Sequence, residues 1–152
     1  MKLGIVIFIS ILSTFNISSY NSINSNSNAI VGTWLTGSGK GKVKITQNGN
    51  LFEGTIVWLK DPLVNGKPDL DDLNPQKELR SRPVMGIKVL NGLKYNTSSG
   101  KWEEGTIYDP ENGKFYSCNI SQVDDKKIHL RGFIGISLIG RTDTWYKVRD
   151  IN

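Results

Sequence analysis

From about position 29 onward, apolar and polar residues alternate in short runs broken by Gly, Asn, Asp and Pro. In 40–46, Lys40, Lys42 and Lys44 alternate with Gly41, Val43 and Ile45, the period of two that gives a strand one wet face and one buried face. A row of Lys also suits an edge strand, because charge discourages pairing with other chains. Further strand signals fall at 30–35, 51–59, 84–90, 93–95, 102–108, 115–121, 128–134 and 141–148. Turn chemistry separates them: Asn48-Gly49-Asn50, Asn91-Gly92, Ser98-Ser99-Gly100, Asp109-Pro110-Glu111-Asn112-Gly113 and Asp124-Asp125-Lys126. In 128–134 the pattern turns Ile128, Leu130, Gly132 and Ile134 inward and His129 and Arg131 to water. In 51–59 it puts Phe52, Gly54, Ile56 and Trp58 on one face that could line an interior.

This pattern predicts an all-β domain of about eight antiparallel strands with almost no helix. Gly54, Gly86, Gly105, Gly132 and Gly135 lie in or beside strands, where glycine marks bends and bulges, and this favours a small up-and-down barrel over a sandwich. One region breaks the rhythm. Residues 65–86, NGKPDLDDLNPQKELRSRPVMG, form a polar connection too long for a compact β domain without a reason. Asn65-Gly66 is a turn, Asn74-Pro75 reads as a helix N-cap and first helical residue, and Pro83 limits the helix to 75–81. Such a segment is a candidate flap over one barrel mouth.

The start of the chain has a different character. Lys2 precedes an apolar run at 3–12 and then Ser, Thr and Asn, the layout of a secretory signal peptide. The run is far shorter than the roughly 20 residues of a membrane helix. The expected organisation is a signal peptide at 1–19, a flexible Asn/Ser leader at 20–28 and a single domain at 29–150, with a periplasmic or secreted location and no transmembrane segment in the mature chain.

Of the 152 residues one is Cys and one is His. Cys118 shares a strand face with Tyr116 and Ile120 and reads as a buried small hydrophobe. With His129 facing water there is no nucleophile–base signature, and an enzyme is not expected. Clustered metal ligands are also missing, and no cofactor is expected. Gly37-Ser38-Gly39-Lys40-Gly41-Lys42 lacks the spacing and setting of a phosphate-binding loop and reads as a hairpin turn. The formal net charge of +5 is spread along the chain without a recognition motif, which argues against nucleic acid.

The candidate chemistry lies in the flap. Asp69, Asp71, Asp72 and Asn74 form an oxygen-rich cluster, but Leu73 occupies a ligand position of a calcium loop and its Gly is absent. Turn bonding and pairing with Arg80 and Arg82 account for the cluster, and either arginine could hold an anionic group. The candidate ligand-binding residues are therefore Asp71, Asn74, Arg80 and Arg82, with Tyr108 and Tyr116 from the strands. Asp71, Arg80 and Tyr108 or Tyr116 would serve an enzyme if the fold drew them together.

Several motifs in order carry a resemblance. They are Gly32-Thr33-Trp34, Asp71-Asp72-Leu73-Asn74-Pro75, Leu79-Arg80-Ser81-Arg82-Pro83 with Gly86, Gly105-Thr106-Ile107-Tyr108-Asp109-Pro110, Gly113-Lys114-Phe115-Tyr116, Arg131-Gly132 and Gly140-Arg141-Thr142-Asp143-Thr144-Trp145. Over 30–148 the chain resembles the bacterial secreted proteins of domain-of-unknown-function family 2147, with Gln76 standing where that family often has Asp. The resemblance implies a secreted or periplasmic β-barrel-like domain and brings no activity. A looser similarity is to lipocalin-type barrels, which begin with Gly-x-Trp and pack a basic residue of the last strand on that Trp. It implies structural roles for Gly32, Trp34 and Trp145, with Arg141 as the candidate cation on Trp34. The functional expectation is a non-catalytic binder of a small apolar or amphipathic ligand; the alternative is an envelope protein-interaction or structural module.

Overall fold

The computed structural model describes residues 27–149; the expected signal peptide at 1–19 and most of the expected leader at 20–28 lie outside them. Eight strands close an antiparallel barrel: β1 Gly32–Leu35, β2 Gly41–Asn48, β3 Leu51–Leu59, β6 Lys88–Asn96, β7 Lys101–Asp109, β8 Lys114–Asp124, β9 Lys127–Phe133 and β10 Gly140–Val148. A two-stranded hairpin, β4 Leu63–Val64 and β5 Lys67–Pro68, stands in the long connection between β3 and β6. Each barrel strand pairs with its sequence neighbours, and β10 returns to β1 with Trp34 opposite Lys147. Closure removes every edge. The lysines of β2 therefore guard no edge, since β2 lies between β1 and β3; they form its wet side while Val43 and Ile45 are buried.

The ring order fixes what lies at each end. The β1–β2, β7–β8 and β9–β10 turns and the long flap share one end, the mouth. The β2–β3, β6–β7 and β8–β9 turns share the other, the floor, with the entering chain. The floor is packed. Trp34 donates its indole N–H to the Ile30 carbonyl at 2.8 Å, and Trp102 donates to the Ser27 carbonyl at 2.9 Å. Phe52 meets Trp102 edge to face at 6.3 Å between ring centroids. Ser27 and the 3-10 turn Asn28–Ile30 thus pack on the barrel, although the sequence pattern assigns 27 and 28 to the end of the leader.

Local features depart from strict alternation in several places, each with a visible cause. A bulge at Lys42/Val43 sets Lys42 opposite Trp58 and Val43 opposite Ile56. This shifts the side-chain parity, so Trp58 leaves the inner face and lies under the Lys42 ammonium, 4.7 Å from its ring centroid. Asn91-Gly92 is no turn. Gly92 takes φ +71° within β6, which runs unbroken from Lys88 to Asn96, and the irregular pairing with β3 absorbs the extra residue. Ile134 lies beyond the end of β9, in the loop and exposed. The expected helix at 75–81 shrinks to the 3-10 turn Lys77–Leu79, with no side-chain cap.

Candidate functional site

The mouth half of the barrel is hollow. A cavity of about 670 Å³ opens between the strand ends, walled by Val43, Ile56, Val89, Ile107, Leu130 and Trp145 and rimmed by Thr36, Asp109, Tyr116, Arg141 and Asp143. The glycines explain why this half is open and the other is not. A Cβ on Gly105 would lie 2.4 Å from Leu93 Cγ, and one on Gly54 would lie 2.9 Å from Leu90 and Val43 side-chain atoms, so neighbours already fill those spaces. Gly132 lines the cavity, and a Cβ there would meet Ile107 and Tyr116 only at an ordinary 3.8 Å. The shape is that of a ligand pocket: concave, mostly apolar, with a few polar groups at the rim.

The flap is locked beside this mouth by a buried polar cluster. Asp71 and Asn74 are 0% and 1% exposed. Asp71 Oδ2 accepts from Arg82 Nε at 2.9 Å and Nη2 at 2.8 Å, and from the Asn74 amide at 2.7 Å; Oδ1 accepts a short hydrogen bond from the Tyr108 hydroxyl. The Asn74 amide also reaches the Tyr108 oxygen at 3.2 Å, and Arg80 Nε donates to the Asn74 carbonyl at 2.7 Å. These bonds, with the Asp71 N–H on the Arg82 carbonyl and the Val84 N–H on the Asp69 carbonyl, explain the missing helix. Asn74 serves as a buried anchor, and its Oδ1 accepts only from the Gln76 N–H next door. Burial, and secondarily the Asp71 carboxylate, pushes the Tyr108 phenol up to about 12, which keeps it a proton donor to Asp71. Every buried side-chain polar atom of the cluster is occupied, so the cluster clamps a loop.

Five of the six candidate ligand residues therefore converge, Asp71, Asn74, Arg80, Arg82 and Tyr108, in one cluster that holds the flap. Tyr116 stands apart. It pairs with Ile107, accepts from the Asn112 amide at 3.0 Å and lines the cavity. Arg141 does not pack on Trp34. Lys147 does, with its ammonium 5.3 Å from the ring centroid. The register decides this: Lys147 is the residue opposite Trp34, whereas Arg141 pairs with Gly132 at the far end of β10 and joins the cavity rim. Trp145 is buried and donates to Asp143 at 2.7 Å, and Asp143 also accepts from the Gly37 N–H at 3.2 Å. Gly32 takes φ +133°, and a Cβ there would crowd Lys147 Cε at 3.2 Å.

Between the flap and the mouth lies a second space of about 660 Å³, which shares Thr36, Gly41, Ile56, Asp109, Pro110 and Asp143 with the first. Leu63, Val64, Leu70 and Leu73 of the flap face it together with Asp61, Asp69 and Asp72, while Glu111 pairs with Lys40 at 2.9 Å. The two spaces adjoin, an apolar chamber and beside it an acidic vestibule. Among the described residues no group of His, Cys, Asp and Glu side chains is arranged to hold a metal, and Asp71 is committed to Arg82 and Tyr108. Cys118 is buried, and its thiol is pushed up to about 12 by burial, so it stays protonated at neutral pH.

The cavity-lining residues Val89, Ile107, Leu130 and Ile139 carry no polar signal in the sequence; only strand parity could have placed Leu130 and Gly132 there. With this geometry established, comparison with known proteins is informative about the fold. No curated protein matches the chain. Among solved structures, protein HP1028 from the human pathogen Helicobacter pylori, described as belonging to the lipocalin family, superposes with a TM-score of 0.68. The match covers 80% of this chain and 84% of that one at 21% identity, which shows a shared lipocalin-like barrel and no more. Residues 32–147 match the bacterial family DUF2147, described as an uncharacterized protein conserved in bacteria, and the chain belongs to that family.

Proposed function

We propose that this protein is a non-catalytic carrier that holds a small apolar or amphipathic molecule in the mouth half of its barrel. The observation that supports this best is the apolar chamber of about 670 Å³ in a barrel whose other half is filled. A volume of that size suits a small ligand, and eight-stranded barrels are wide enough for one. The apolar walls would take the hydrocarbon part, and Thr36, Tyr116 and Arg141 at the rim would meet a polar end. The clamped flap supports the reading as well, since it shields the chamber from one side without any bond that a ligand would have to break. The flap engages Arg80 through its Nε and Arg82 through its Nε and Nη2, so the reading places the ligand in the chamber and not at these two arginines.

The proposal includes export, for which the basic start, short apolar run and polar Ser/Asn stretch are the support. The intact mass of protein recovered from its own host reads this directly: loss of about the first 19 residues is expected, and an uncleaved chain in the cytoplasm would refute it. Native mass spectrometry of the same material tests ligand binding. A reproducible added mass, together with uptake of a fatty acid or an environment-sensitive dye, is expected. A bare spectrum with no uptake by wild type overturns the reading. Gly132→Leu, whose side chain would occupy the chamber, should abolish uptake while leaving the fold intact.

A further inference from the structure

The connection between β9 and β10 is unlike any other surface of the molecule. Ile134, Ile136, Leu138 and Ile139 are 71%, 59%, 85% and 71% exposed, the largest concentration of open aliphatic surface among the described residues. The loop is held in shape. Arg131 Nε donates to the Ser137 carbonyl at 2.6 Å, Nη2 to the Leu138 carbonyl at 3.2 Å and Nη1 to Thr142 Oγ1 at 2.9 Å. Those bonds tie down the loop backbone and leave the aliphatic side chains exposed. A protein that merely tolerated a loop here would have no need to present four large apolar groups to water together.

We propose that this loop docks on an anionic lipid bilayer, with its aliphatic tip in the headgroup and acyl boundary and its arginines at the headgroup level. Three observations select a bilayer over a protein partner. Residues 128–142 contain no Asp or Glu and Arg131 and Arg141 bracket the apolar tip, while Asp143, the first acid of the β10 stem, accepts from the Trp145 and Gly37 N–H groups. Apolar tip and cationic collar are the combination by which interfacial segments bind anionic membranes. Asp61, Asp69 and Asp72 of the acidic vestibule belong to the connection between β3 and β6, and the ring order puts that connection across the mouth from the one between β9 and β10. Finally, Ile134 and Ile139 line the chamber as well as the loop, so its apolar wall runs without a break from cavity to tip. A hydrocarbon chain could pass between bilayer and chamber without crossing water.

The docking stands independently of the carrier reading, because it is measured on vesicles and uptake is measured without them. The mature chain is sedimented with phosphatidylcholine vesicles and with phosphatidylcholine–phosphatidylglycerol vesicles. Binding to the anionic vesicles that weakens with salt is expected, with a loss of roughly tenfold or more in the double variant Ile136→Ser, Leu138→Ser. Both positions are exposed, so the variant should melt with wild type. The variant Leu138→Trp retains apolar character, and the fluorescence of its added indole should be quenched by lipids brominated on their acyl chains. Failure to bind either vesicle, equal binding by the double variant, or an unquenched indole in Leu138→Trp overturns the proposal. So does a loop-dependent dimer in sedimentation velocity without vesicle binding, which would assign the patch to a second copy of the chain.

Discussion

The two ends of this barrel are built on the same strands with opposite results. At the floor, Trp34 and Trp102 reach back to backbone carbonyls of the entering chain, and the Leu93 side chain occupies the space beside Gly105. At the mouth, Trp145 turns its N–H to Asp143, and the space beside Gly132 is left open. The same residue type, glycine on an inward position, marks close packing in one half and vacancy in the other; the neighbours decide which. The contrast teaches that the stability of this domain is concentrated at the floor, while the mouth is available for a ligand.

The most severe way to test that division is Trp102→Ala, which would leave a large hole in the packed half and lower stability by about 3–5 kcal/mol in urea denaturation. Comparable stability to wild type would show that the floor does not carry the fold. Next is the flap. Asp71→Ala strands the part-exposed Arg82 and removes the acceptor of Tyr108, a loss of about 3 kcal/mol. It should appear as local opening: faster hydrogen exchange and proteolysis within 61–86 while the barrel strands keep their protection. Uniform loss of protection would mean that flap and barrel are one unit.

A pH titration sharpens the same point. Burial and Asp71 lift the Tyr108 phenol from 10.0 to about 12. Below pH 10 the phenol is protonated whether the chain is folded or not, and its contribution is complete. As pH rises from 10 to 12 the unfolded chain loses the proton more readily, and the contribution drains away. Wild type should therefore lose more stability over that range than Tyr108→Phe, and parallel curves for the two would refute the link. Gly132→Leu at the mouth should change stability by no more than about 1 kcal/mol, since its side chain enters open space. A penalty as large as that of a floor substitution would mean the chamber collapses in solution. The smallest effect is expected from Lys147→Ala, about 0.5–1 kcal/mol for the cation over Trp34, with Arg141→Ala neutral for stability. The reverse order would restore Arg141 to the role that sequence similarity suggested.

Much of the barrel could be read from local rules because local rules produce it. The alternation of Val43 and Ile45 with lysines, the Asn48-Gly49 turn and the Asp109–Gly113 turn act over a few residues, and they stand where the pattern put them. Two of the misplacements in the barrel share one cause, a displaced register. The Lys42/Val43 bulge sent Trp58 outward, and Gly92 bent β6 without ending it. A one-residue shift reverses every following side chain, and no local signal announces it. In the flap, the acids and arginines at 69–82 were legible as a cluster that pairs with itself. That Tyr108 joins it, while Tyr116 and Arg141 join the chamber, depended on contacts between distant strands.

What the sequence determined by itself was the kind of molecule: a β-barrel of short strands with one long polar connection. Period-two alternation and turn residues carry that information because they reflect the chemistry of adjacent residues. Only the tertiary structure decided where the molecule is empty. Whether an inward glycine is filled by Leu93 or left open beside Ile107, and whether Lys147 or Arg141 meets Trp34, is set by strand register around a closed ring. Register is a sum over every bulge in the chain, so the cavity, and with it the proposed function, becomes visible only when the ring is closed.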